Sequence, residues 1–181
     1  LECYHCQGSH PELGISFDIQ KSYTQTADWG PSACFLGGEP LRRGYMTVSM
    51  SGDLVSKPLG DYAGMAELPL EVAEGLGCLP VLTRALFHID HAIVHSMNPI
   101  SAGEVEWTSR WYVHADAVEG EDYDKDKVTE VWRATNAEDK KLCERNYQGV
   151  LSRIFKPGLL NPATEGALAP VLRFIQGMME R

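Results

Sequence analysis

The 181-residue chain has no apolar run approaching the roughly 20 residues that cross a bilayer, and no secretory-type segment opens it. On those two absences we expect a soluble, cytoplasmic protein with no membrane partner. Internal repeats and low-complexity tracts are missing too, which sets solenoids and linkers aside. Basic residues are in deficit, with 16 Lys and Arg against 25 Asp and Glu and a formal net charge of −9. Such a surface repels a phosphate backbone, so nucleic acid is not an expected partner. An even cysteine count is also lacking. Cys3, Cys6, Cys34, Cys78 and Cys143 are five and irregularly spaced, unlike the framework of a secreted disulfide domain, and reduced thiols fit better. The chain opens L-E-C-Y-H-C without an initiator Met, as expected of a chain cut from a longer one or numbered from inside an ordered core.

What remains is an ordinary globular composition, 44% apolar and 23% charged, in a length that fits one domain over residues 1–181 with a real core. Residues 1–8 read as a helical turn ended by Gly8-Ser9 and Pro11. Residues 15–26 suit a strand or an extended segment, and Gly30-Pro31 with Gly37-Gly38 punctuate a loop. Residues 45–50 alternate and stop at Ser51-Gly52, which predicts a strand and a turn. Residues 53–75 give no clear pattern. Three apolar or alternating runs, 79–87, 91–97 and 104–114, predict an antiparallel meander, with Pro99 and Gly103 marking a connection. The run Glu119, Glu121, Asp122, Asp124 and Asp126 reads as a solvated loop. Helices are expected over 126–154 and 164–179, the second carrying Leu168, Val171, Leu172, Ile175, Met178 and Met179 at helical spacing. Strands followed by helices predict an α+β domain.

The chemistry is concentrated in E-C-Y-H-C-Q-G-S-H-P-E-L. His5 and His10 stand five apart, about 140° around an ideal helix, so their imidazoles converge only if the helix breaks between them. Gly8 and Pro11 supply that break. Glu2 shares a face with His5. Two histidines and a carboxylate suit divalent iron or zinc. Two ordinary histidines at a helix end remain an alternative, and so does a zinc set of Cys3, Cys6 and His10, although no second Cys or His pair follows at finger spacing.

A further carboxylate comes from the long helix. With Val128 at 0° and 100° per residue, Val131, Trp132, Thr135, Leu142, Cys143 and Asn146 fall within about 60° of it, and Asp139 falls near 20°. Glu138, Lys140, Lys141 and Glu144 are expected to point sideways or away. A lone carboxylate on a buried face is costly unless it is paired or binds a metal, so an ion pair or a frayed helix is the competing account. Two histidines with one carboxylate make a facial triad that leaves coordination positions open. His88, His91 and His95 would align on a helix as a rival metal site. The β-branched residues and Pro99 favour a strand, which puts His88 on the opposite face from His91 and His95.

At this point the sequence resembles the catalytic domain of the Rieske non-heme iron ring-hydroxylating oxygenase large subunits. Glu2-x2-His5-x4-His10 followed by Pro11-Glu12-Leu13 matches the family's acid-x2-His-x4-His motif. H-I-D-H-A-I-V-H-S-M-N-P resembles the family's strand into a proline turn, and in T-N-A-E-D-K-K-L-C-E-R-N Asp139 stands at the third iron ligand. Q-G-x-x-S-R and P-G-x-L, from Gln148 to Leu160, with Glu165, resemble the C-terminal stretch. The similarity covers most of the chain.

The resemblance implies a helix-grip-like antiparallel sheet wrapped by helices, with a long helix near the C-terminus. It implies Fe(II) on His5, His10 and Asp139, a homotrimer, and Glu2 as the acid that carries electrons from a neighbouring subunit's iron–sulfur cluster. The family more often has Asp there. Of the cluster's Cys-x-His and Cys-x-x-His motifs, Cys3-Tyr4-His5 fits the first only superficially, since His5 belongs to the iron set and no second half exists. The iron–sulfur cluster and NAD(P)H are therefore expected from other domains or proteins through an electron-donating reductase or ferredoxin. With O2 and a small-molecule substrate, the implied reaction is ring hydroxylation or oxidative N-demethylation. The wording E-C-Y-H-C-x-G-x-H-P-E-L leans toward quaternary ammonium substrates, for which Trp29, Trp107, Trp111 or Tyr147 are candidate cage residues. A non-catalytic helix-grip domain binding an apolar ligand and a zinc-binding structural domain are the alternatives.

Overall fold

The computed structural model describes residues 5–17, 35–60, 73–78, 82–161 and 168–180. Two single-turn helices, α1 (Cys6–Ser9) and α2 (Leu13–Ser16), lead into strand β1 (Phe35–Pro40). Strands β2 (Ala73–Cys78), β3 (Thr83–Phe87), β4 (Ala92–Ser101) and β5 (Glu104–Tyr112) follow, then the long helix α3 (Lys125–Val150) and helix α4 (Leu168–Met179). The strands form an antiparallel sheet in the order β1-β2-β3-β4-β5, each pairing with the next along the chain. The chain is α+β. The expected meander is present as β3, β4 and β5. β4 continues past the predicted end at Met97, through Pro99 to Ser101. Beyond Ser96 it pairs with β5 and not with β3, and the register slips between Pro99 and Ser101, where a missing N–H is tolerated.

Leu86 and Ile93 face α3 from the middle of the sheet, and Val131 and Trp132 meet them from the helix. Leu13, Phe17, Leu41 and Val48 complete this core from the N-terminal part of the chain. Each such side chain, fully buried, stabilises the fold by about 1.5–3 kcal/mol. The helix starts cleanly because the Asp124 carboxylate accepts the Asp126 N–H.

Several sequence expectations differ from the structure. Residues 15–16 belong to helical turn α2 instead of a strand, Phe17 forms a bridge to Leu41, and residues 18–26 lie outside those described. Gly37 and Gly38 lie within β1, opposite Leu76 and Gly75, and residues 73–75, read as patternless, open β2. Glycine-rich strands pair through backbone alone and leave no side-chain alternation to read. Residues 45–50 do not form a strand. Thr47 donates to buried Asp90 at 2.6 Å, and Ser49 shares hydrogen bonds with Ser16, Gly52 and Asp53, so hydroxyls that look like strand alternation hold a bent segment instead. The expected turn does form at Gly52, whose φ of 80° and closeness to the Tyr45 ring leave no room for a Cβ. The first long helix ends at Val150, short of the expected Ile154, and the second is described from Leu168. Among the described residues no helix is long and apolar enough to cross a membrane.

Candidate metal centre

Helix α1 lasts one turn, with His5 at its N-cap and His10 at its C-cap. His10 leaves helical geometry (φ −122°, ψ 75°) while its N–H still bonds the Cys6 carbonyl. This break swings the two imidazoles together in a T-shaped arrangement with ring centroids 5.2 Å apart. Helix α3 passes alongside and brings Asp139 to both. The same carboxylate oxygen, Oδ1, lies 2.9 Å from His5 Nε2 and 3.1 Å from His10 Nε2. Glu2 and Cys3 lie outside the described residues.

Two carboxylates that the sequence reading passed over join this group. Glu138 Oε2 lies 2.9 Å from His10 Nδ1, so Glu138 faces the site and does not point away from it. The flexible Glu side chain reaches back from a position beside the helix's inner stripe. Glu12 is buried, 3.7 Å from the same nitrogen, and accepts a 2.6 Å hydrogen bond from the Thr135 hydroxyl. Glu138 was marked only by adjacency to Asp139, and Glu12 only by following His10-Pro11; neither signal is specific.

The expected burial of Asp139 is also corrected. Its side chain is 38% exposed, and Leu142, Cys143 and Asn146 on the same stripe are exposed as well. The helix is buried only at Val128, Thr129, Val131, Trp132 and Thr135, and its described residues beyond Thr135 are half-buried or exposed. Asp139 sits where the covered part of the helix gives way to the open part.

The charge pattern of the cluster is distinctive. His10 is only 1% exposed, yet both of its ring nitrogens face carboxylate oxygens. A neutral imidazole has one N–H and one lone pair, so it satisfies only one of these two neighbours. His5 Nε2 competes for the same Asp139 oxygen. Burial opposes a charged His10, but the Glu138 hydrogen bond and the Asp139, Cys6 and Glu12 charges outweigh it and raise the imidazole above its ordinary 6.5. Three carboxylates around two imidazoles, with histidine and threonine as their described side-chain partners, call for positive charge at the His–Asp139 junction.

Donor atoms in two groups lie within 4.8 Å of one another: His5, Cys6 and His10, and His10, Glu12 and Glu138. The other histidines are occupied differently. His88 lies in the β3–β4 connection, not on a strand as expected, because β3 ends at Phe87, and its Nε2 accepts the Trp132 indole N–H at 3.2 Å. His91 precedes β4 and bonds Asp90 at 2.7 Å. His95, on β4, takes a hydrogen bond from Ser109, whose oxygen in turn accepts from Trp107 and Asn136. Burial, with Arg84 adding to it and Asp139 opposing, lowers His95 to about 4.

Comparison with known proteins identifies the family. A family model for the ring hydroxylating alpha subunit (catalytic domain) matches residues 1–181. The oxygenase subunit of glycine betaine monooxygenase from Pseudomonas aeruginosa (strain UCBPP-PA14) is 34% identical over 203 residues, covering 99% of this chain and 46% of the relative. Its counterpart from Chromohalobacter salexigens is 32% identical over 186 residues, covering 87% and 40%. The chain therefore spans about half the length of the curated relatives it matches. With residues 1–181 matched by the family model, and with His5 and His10 brought to Asp139 of the long helix, this chain belongs to the ring-hydroxylating alpha subunit family, in its catalytic domain.

Proposed function

We propose that residues 1–181 are the mononuclear-iron catalytic domain of an oxygenase in which His5, His10 and Asp139 hold Fe(II), and that the substrate is a small quaternary ammonium compound of the glycine betaine type, N-demethylated at the expense of O2. The observation that carries this reading is the single Asp139 oxygen lying 2.9 and 3.1 Å from the two Nε2 atoms. Neighbouring ligands of one ion with bonds of about 2.1 Å stand about 3 Å apart, so the Asp139 oxygen stands at ligand spacing from each of the two imidazoles. A divalent cation also supplies the charge that these carboxylates and imidazoles lack.

When bound, iron(II) on two histidines and a carboxylate supplies open coordination positions for O2. The protein's part is to aim the donors. Glu138 accepts the His10 Nδ1–H, which leaves the Nε2 lone pair directed at the ion. Thr135 fixes Glu12 behind it. Asp139, being half exposed, keeps the site open to substrate. Electrons come from outside the chain, from an iron–sulfur domain and a reductase or ferredoxin using NAD(P)H. Glu2 is the acid assigned to that entry by the family motif alone. A homotrimer, a helix-grip arrangement of the sheet around α3, and a cytoplasmic setting complete the proposal.

The test uses the chain loaded with iron(II) and glycine betaine. We expect stoichiometric iron and no turnover with reductase and NADH, but formaldehyde release when hydrogen peroxide supplies reduced oxygen. Sustained NADH-driven oxygenation by this chain and a reductase alone would overturn the electron assignment. Absence of bound iron would overturn the whole reading.

A further inference from the structure

One donor beside His10 has no part in the iron reading. Cys6 opens α1, is buried, and is in no disulfide. Its Sγ lies within 4.8 Å of a ring nitrogen of both His5 and His10, which are within the same distance of each other. His5, Cys6 and His10 are therefore a second three-donor set. It shares both imidazoles with the first and exchanges the Asp139 oxygen for sulfur.

That exchange changes which ion is preferred. A set of two nitrogens and one carboxylate oxygen suits iron(II), whereas thiolate and imidazole select softer ions such as zinc, and zinc outranks iron(II) in intrinsic affinity at nitrogen and sulfur sites. The two sets also differ in what must be folded. The sulfur set lies wholly within α1 and its two caps, while the oxygen set needs α3 to be docked. Because both use His5 and His10, one ion excludes the other.

We propose that His5, Cys6 and His10 form an alternative site for soft divalent ions, zinc and cadmium, which takes the two imidazoles and blocks iron loading. Binding forms a metal–sulfur bond and releases the thiol proton to solvent; no electron moves. Water fills the fourth position of a tetrahedral zinc. The blocking of iron rests on the iron ligands proposed above, but the soft-ion site does not.

The experiment titrates the metal-free full chain with cobalt(II), a spectroscopic stand-in for zinc, and then measures zinc competition. It compares wild type, Cys6→Ser, Cys6→Ala and Asp139→Ala. Wild type and Asp139→Ala should both give the intense near-ultraviolet sulfur-to-cobalt charge-transfer band. Both Cys6 variants should lose the band and weaken zinc binding by about tenfold or more, the scale on which even outer-shell partners matter, while iron(II) affinity stays within about threefold. A band missing from wild type, retained in both Cys6 variants, or lost in Asp139→Ala overturns the proposal. The wild-type and Asp139→Ala arms decide the matter even where a Cys6 variant does not fold. Failure of the iron reading shows separately, as iron retained by Asp139→Ala.

Discussion

Among the described residues, a buried histidine meets carboxylate in two places, and the two are built to opposite ends. In the β3–β4 connection, Asp90 is wholly buried and receives hydrogen bonds from the Thr47 hydroxyl, the Val55 and Ser56 N–H groups and His91. Burial alone would raise its carboxyl, but those donors, His91 foremost, hold it below its ordinary value. Both oxygens of the Asp90 carboxylate are met by two donors each. At the α1–α3 junction, one Asp139 oxygen is shared by two imidazoles, and His10 is pressed between two carboxylates. A carboxylate surrounded by donors is a structural pin. A surplus of carboxylates around imidazoles is a receptacle for a cation.

The strongest way to break this contrast is to remove one carboxylate from each place. Asp139→Ala should lower iron content by about tenfold or more, with little change in the denaturant midpoint, because a half-exposed side chain leaves no buried charge behind. Elemental analysis that finds full iron in this variant removes Asp139 from the site. Asp90→Ala should do the reverse. It strands the Thr47, Val55 and Ser56 donors and the His91 partner and should cost about 3–5 kcal/mol in urea unfolding, with iron per folded chain unchanged. A variant as stable as wild type would mean that Asp90 is not a pin.

Acid titration sharpens the comparison further. His95 sits between the two places and its folded value, about 4, is below the ordinary 6.5, so the folded state binds fewer protons across that interval. Stability supplied by neutral His95 is complete above pH 6.5 and is lost as pH falls toward 4, by at most about 3 kcal/mol. His10 has the opposite sign. Its raised value contributes to the metal-free protein below pH 6.5 and is lost as pH climbs through the folded value. His95→Gln should flatten the acid-side slope of unfolding free energy between pH 6.5 and 4, and an unchanged slope would contradict the assignment. The smallest expected effect belongs to His88→Gln, which exchanges the imidazole acceptor of Trp132 for an amide. Its iron content, measured by mass spectrometry of the metal, should match wild type, and a drop would move the metal site toward the sheet.

Much of this was readable from residue order. The 3.6-residue period placed α3, its phase put Asp139 on the inner stripe, and Gly8 with Pro11 predicted the break that brings His5 to His10. The period could not say where cover ends. Leu142, Cys143 and Asn146 keep the stripe's phase, yet all three are exposed. Side-chain reach was equally invisible, since Glu138 lies off the stripe and still bends to His10. The 45–50 segment misled because the Thr47 and Ser49 hydroxyls alternate for bonding to Asp90 and to the Gly52 and Asp53 backbone rather than for two sheet faces.

Helix α3 has 26 residues, a rod about 39 Å long, and its side chains are buried only as far as Thr135. Mechanically it is a beam clamped at one end. Glu138 and Asp139 stand on the first turn beyond the clamp, so any flexing of the free span shifts these carboxylates against His5 and His10. Farther along that span Tyr147 props it, its hydroxyl reaching the Ala102 carbonyl at the tip of the β4–β5 hairpin. Alignment of the metal centre is thus tied to a contact two helical turns away, at the edge of the sheet.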